Sequence, residues 1–183
     1  VSGALLILLF CSCHHTRKLT RSKYKETTVT KSESRPAKKA TAEAYIAQWK
    51  DAAVHQMKKY GIPASITLAQ GMLESANGNS ELAREANNHF GIKCTGDWKG
   101  ATYYHKAERG QECFRKYKSA DESFADHTQF LKNKRYASLF RLKSTDYKGW
   151  ARGLKEAGYA TNPQYPQLLI NLIEKYHLDD YDE

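Results

Sequence analysis

The chain lacks a run able to cross a bilayer. Its longest uncharged apolar stretch, Val1 to Phe10, covers ten residues, and a helical span needs ~20. It also lacks metal-ligand spacing. Seven histidines are present, yet there is no His-Glu-x-x-His and no paired ligand pattern, so we expect neither a metal nor another cofactor. His14 and His15 then read as incidental. The body lacks an excess of charge, although the net charge is +9. Nine Lys/Arg against two acids lie between Thr16 and Ala40, whereas Thr41 to Glu183 carries 20 Lys/Arg against 18 Asp/Glu. A nucleic-acid binder concentrates basic charge on a folded face, so no nucleic-acid partner is expected. No internal repeat occurs. Cysteine is scarce: Cys11 and Cys13 near the start, Cys94 and Cys113 in the body.

What is present divides the chain. Val1 to Phe10 suits the apolar region of a signal peptide. Phe10-Cys11-Ser12-Cys13 resembles a lipoprotein processing site, and Cys13, after a small residue, fits better than Cys11. Residues 14–40 are Lys/Thr/Ser-rich with few aliphatics, the composition of a disordered tether. The expected organisation is a signal over 1–13, a basic tether over 14–40 and one folded domain over 41–183. That implies export to the periplasm or cell envelope, a lipid anchor at Cys13, and a monomer. In an oxidising compartment the pair Cys94 and Cys113 reads as a disulfide, worth about 3 kcal/mol in loop entropy. The competing reading is a cysteine nucleophile with His89 or His127 as base, which the spacing does not favour.

The body reads as mainly helical with one β excursion. Thr41 caps a helix whose apolar positions Ile46, Trp49, Ala53, Met57 and Tyr60 recur at helical spacing before Gly61. A second helix starts at Ile62-Pro63 with the stripe Ile62, Ile66, Ala69, Leu73 and Ala76. A short helix follows over 81–86. Segments 90–94, 101–105 and 111–117 read as short strands. Ser119-Ala-Asp-Glu122 is a capping box, and the helix after it buries Phe124, His127 and Leu131, with His127 as a packed core residue. Residues 136–140 and 146–157 form a helix pair. Asn162-Pro163 opens the last helix, with Leu168, Leu169, Leu172, Ile173 and Tyr176 inward.

Glu74 stands out in this pattern. It lies one residue off the apolar stripe, where the second helix gives way to Ala76-Asn77-Gly78. A helix C-terminus carries partial negative charge, and burial also penalises a carboxylate. Both raise the pKa and yield the protonated acid that cleavage of a glycosidic bond requires.

Six segments in register resemble one family: Leu68-Ala-Gln-Gly-Met-Leu-Glu-Ser75, Gly78-Asn-Ser80, Asn87-Asn-His-Phe-Gly-Ile-Lys93, Trp98-Lys-Gly100, Phe114-Arg-Lys-Tyr-Lys-Ser119 and Ala157-Gly-Tyr-Ala-Thr-Asn-Pro163. They are similar to the mannosyl-glycoprotein endo-β-N-acetylglucosaminidases, the peptidoglycan glucosaminidases of glycoside hydrolase family 73, over Thr41 to about Leu178. The resemblance implies an α+β, lysozyme-like fold with a helical lobe, a small β-hairpin lobe and a cleft between them. It implies peptidoglycan glycan strands as substrate, Glu74 as catalytic acid and Tyr159 as the cleft tyrosine. It also implies a second carboxylate in the β-lobe, Glu112 in preference to Glu108. Asn87, Phe90, Trp98 and Tyr104 are the candidate substrate contacts. Against these stand plainer roles: turn caps for Asn87 and Asn88, packing for Phe90 and Trp98, helix-end packing for Tyr159, a surface ion pair for Glu112. Many members carry Gly-Trp-Gly after Glu-Ser, where this chain has Ala76-Asn77-Gly78, so an aromatic cleft wall would come from Trp98, Tyr103 or Tyr104. The rival readings are a non-catalytic peptidoglycan-binding or adhesin module and a cell-wall amidase.

Overall fold

The computed structural model describes residues 39–183 apart from 96–97 and 108–109. The expected signal and tether, with Cys13, lie outside the described residues, as does Glu108. Helix α1 (Ala42–Tyr60) begins where the Thr41 hydroxyl accepts from Ala44 N and ends at Gly61, whose φ of 81° lies in the left-handed region. Helix α2 (Ala64–Ser75) is buried on every face from Ala64 to Met72, not along one stripe. The reason is its central position, with α1, α5, α6 and a C-terminal 3-10 segment packed around it. Of the buried polar side chains on α2, Thr67 Oγ1 and Gln70 Oε1 have no hydrogen-bond partner among the described residues. Ser65 donates through N (2.8 Å) and Oγ (2.6 Å) to the buried Asp182 carboxylate.

A short helix, α3 (Glu81–Ala86), is capped by the Ser80 hydroxyl. Strands β1 (Thr102–Ala107) and β2 (Gly110–Arg115) form a two-stranded antiparallel sheet, with Tyr104 opposite Cys113 and His105 opposite Glu112. Residues 90–94 do not form the expected strand. Lys93 makes a single bridge to Phe114, because Asn88 folds the segment into a turn. Its Oδ1 accepts from Phe90 N (3.4 Å) and Ile92 N (3.1 Å), while Nδ2 donates to Ile92 O and Arg115 O (both 2.9 Å). Cys94 and Cys113 are disulfide-bonded, with Cα atoms 5.4 Å apart.

The Ser119 hydroxyl caps α4 (Ala120–Leu131). A 3-10 segment (Lys134–Arg141), α5 (Tyr147–Glu156), α6 (Tyr165–Tyr176) and a 3-10 turn (Leu178–Tyr181) complete the order. Helix α6 starts at Tyr165, later than expected, because Asn162 Oδ1 accepts from Gln164 N (2.9 Å) and holds a turn ahead of it. Its inward face is Tyr165, Leu169, Ile170 and Ile173. Leu168, Leu172 and Tyr176 are only half-buried. No helix among the described residues is long and apolar enough to cross a membrane.

Candidate active site

Glu74 is the penultimate residue of α2. Beyond it Ala76, Asn77 and Gly78 all have positive φ (50°, 56° and 77°), which turns the chain away and leaves the carboxylate at a helix end. Ser75 fixes this turn: its hydroxyl donates to Gly71 O (2.5 Å) and accepts from Gly78 N (2.7 Å). One turn earlier, Gly71 packs against Tyr45, where a Cβ would stand 2.5 Å from the phenol oxygen. Tyr45 in turn hydrogen-bonds His89 Nδ1 at 3.0 Å.

Glu74 opens onto a groove of about 590 Å³. Four parts of the chain bound it: the end of α2, the stretch from Phe90 to Thr95, Phe130 on α4, and the stretch from Tyr159 to Leu168. Glu74 is an exposed residue, reachable from this groove, while protein on one side still crowds its carboxylate. Burial is the main influence and raises its pKa; a hydrogen bond from Tyr165 acts in the opposite direction. Tyr165 donates to Glu74 Oε1 at 3.1 Å and accepts from Gln70 Nε2 at 3.0 Å. Among the described residues, Oε2 takes no such bond.

Tyr159 also lines the groove. Its ring stacks on Tyr165 (centroids 5.7 Å apart, planes at 25°), and its hydroxyl is buried without a partner among the described residues. Burial pushes that hydroxyl well above the usual tyrosine range. Phe90 forms another part of the wall and lies flat on His127 (3.9 Å, 12°). His127 is fully buried, and desolvation lowers its pKa to about 3.

The other expected site residues do not line this groove. Glu112 on β2 pairs with Lys93 at 2.8 Å, so it stands behind a groove-lining lysine. Asn87 takes the left-handed position ending α3 (φ 52°) and donates to Tyr117 O at 3.0 Å. Trp98 packs at the hairpin base: its indole donates to Ala101 O (2.9 Å), Arg115 lies over its ring (4.6 Å) and Tyr117 meets it edge-on. Tyr104 projects from the hairpin with 60% of its surface exposed. Several groove residues escaped the sequence reading, Tyr165, Lys93, Thr95 and Phe130 among them. Tyr165 carried a signal, since it lies four residues before Leu169 on the buried face of α6. Lys93 carried none beyond its place in the Phe-Gly-Ile-Lys run.

The family model described as mannosyl-glycoprotein endo-beta-N-acetylglucosaminidase matches residues 50–178. The exo-glucosaminidase LytG of Bacillus subtilis (strain 168) is 41% identical over 140 residues, 69% of this chain and 48% of LytG. The peptidoglycan hydrolase FlgJ of Escherichia coli (strain K12) is 34% identical over 147 residues, 73% of this chain and 46% of FlgJ. The chain thus spans about half the length of these relatives. The crystal structure of a peptidoglycan hydrolase from Sphingomonas sp. A1 superimposes with a TM-score of 0.66 at 29% identity, covering 76% of this chain and 92% of that one. The helical body with its two-stranded hairpin is accordingly lysozyme-like.

Proposed function

The chain belongs to the mannosyl-glycoprotein endo-beta-N-acetylglucosaminidase family, and on that footing we propose that it is a glycoside hydrolase cutting β-1,4 bonds beside N-acetylglucosamine in peptidoglycan. The observation that carries this reading is Glu74: a carboxyl at a helix end, its pKa raised by burial, opening onto a groove of about 590 Å³. In this reading Glu74 Oε2 carries the proton and delivers it to the leaving oxygen. Tyr165 holds Oε1, so the acid has one orientation. Tyr159, stacked against Tyr165, keeps that phenol in place.

The positive charge that develops at the sugar carbon needs a second group. Glu112 takes that role, supplied by the β-lobe and tethered to groove-lining Lys93. Activity of Glu112→Gln near that of the unmodified protein would assign the role instead to the sugar's own acetamido group or to Glu108.

The substrate lies in the cell envelope, which fits the FlgJ relatives named as peptidoglycan hydrolases. Anchoring through a lipid at Cys13, with residues 14–40 as spacer, would keep the domain within reach of the wall. Cys13→Ser moving the protein from the membrane to the soluble fraction tests that part. The chemistry is tested by products formed from purified sacculi. New reducing ends support the glycosidase, new amino groups would make the protein an amidase, and binding with neither would make it a recognition module.

A further inference from the structure

Two charged side chains bound the groove among its described lining residues, Glu74 and Lys93. Glu74 has a task in the proposed reaction; Lys93 has none there beyond its ion pair with Glu112. Its ammonium is more than half exposed, and its partner is Glu112, itself 43% exposed. An exposed ion pair of this kind is weak, so another carboxylate arriving in the groove competes with Glu112 on similar terms.

The backbone beneath Lys93 is unusually well fixed for a surface lysine. Lys93 bridges Phe114. On one side, Ile92 is buried and its carbonyl accepts from Arg115 N at 3.0 Å. On the other, Cys94 N donates to Cys113 O at 2.9 Å, beside the disulfide joining the same two residues. The lysine stem therefore leaves a rigid edge, and only the side chain, not the backbone, has to be ordered when an anion binds, which lowers the entropic cost of binding.

We propose that Lys93 is a subsite for a carboxylate carried on the glycan strand, and that it distinguishes peptidoglycan from an uncharged N-acetylglucosamine polymer. This rests on the glycan-cleaving reading above. The recognised group is a carboxylate of the peptide attached to muramic acid, or the lactyl carboxylate of a strand that has lost its peptide. Both are chemically alike to an ammonium.

The test compares kcat/KM of the full chain on soluble peptidoglycan strands and on the same strands with their carboxylates converted to amides. The unmodified protein should prefer the native strands by about five-fold, near the ceiling for one exposed ion pair, with the difference in KM. In Lys93→Met the preference should fall to about one, and Lys93→Arg should restore much of it. Strands stripped of peptide separate the two sources: a preference retained there assigns the lactyl group, and one lost there assigns the peptide, either supporting the subsite. If Lys93→Met slows both substrates by the same factor, Lys93 serves only Glu112 or the hairpin, and the proposal is overturned. If the unmodified protein releases no reducing ends from any strand, the glycosidase reading fails first and takes this subsite with it.

Discussion

The Tyr165 hydroxyl donates to Glu74 Oε1 at 3.1 Å while accepting from Gln70 at 3.0 Å. A relay from the central helix thus fixes one oxygen of the proposed acid. Because the Tyr165 bond favours the ionised form, it partly offsets the effect of burial.

Removing that bond has two separable consequences. In Tyr165→Phe the Glu74 pKa should rise further. Glu74 acts as an acid only below its pKa, so the alkaline limb of the kcat profile should move to higher pH. At the same time kcat at the optimum should drop about ten-fold, because the carboxyl loses its fixed orientation. A pH–rate profile of the variant separates the two. An alkaline limb unmoved or shifted downward would show that the bond does not tune the acid.

Acid lability should come from two buried imidazoles. Burial lowers His89 to about 4 and His127 to about 3, from an ordinary 6.5. Between pH 6.5 and those values the unfolded chain binds protons that the native state refuses. Stability contributed by each neutral imidazole is therefore complete above 6.5 and is lost as pH falls, by up to about 1.4 kcal/mol per pH unit per histidine. His127→Phe preserves the ring against Phe90 and removes one titrating group. Urea midpoints between pH 7 and 4.5 should fall less steeply in this variant; an unchanged slope would place the proton uptake elsewhere.

Gly71 should not tolerate a side chain. A Cβ there meets the Tyr45 phenol oxygen at 2.5 Å, and Tyr45 is nearly fully buried against α2 and His89. Gly71→Ala should cost about 1–3 kcal/mol by overpacking, despite alanine's better helix propensity. Thermal unfolding checks this, and a variant as stable as the parent would show that Tyr45 yields without penalty.

The Cys94–Cys113 bond closes a separation of 19 residues. Loop entropy of that size is worth about 3 kcal/mol. The double serine variant should lose about that much in urea unfolding, and reductant should destabilise the parent but not the variant. Equal response of both proteins to reductant would contradict the assignment.

Much of this architecture could be read from the residues in order. Helix ends carried explicit chemistry: Thr41 and Gly61 act as their types predict, and the Ser119 hydroxyl caps α4, although the Glu122 carboxylate accepts from Lys118 N rather than from Ser119 N. The six segments in register point to the family from the sequence alone. Tertiary packing decided the rest. The polar residues Ser65, Thr67 and Gln70 gave no local sign that α2 would be enclosed on all sides. Asn88 turned a strand-like segment into the loop that presents Phe90 and Lys93, through bonds to Arg115, 27 residues away. Tyr165 reaches Glu74 across 91 residues, a pairing that spacing along the chain does not reveal. Phe90 and Tyr159 do meet Glu74 around one groove, whereas Trp98 is occupied beneath Arg115 and Asn87 by the end of α3.

The central claim is that Glu74 supplies the proton for glycosidic cleavage. It is tested most directly by the rate of reducing-end release from purified sacculi by Glu74→Gln, with unfolding curves to show that the variant keeps the parental fold. Glutamine preserves the shape and can still accept from Tyr165, but it has no acidic proton to give. The account predicts a fall in kcat of about 10²–10⁴-fold with little change in stability. Release at the parental rate by a correctly folded Glu74→Gln protein would contradict it.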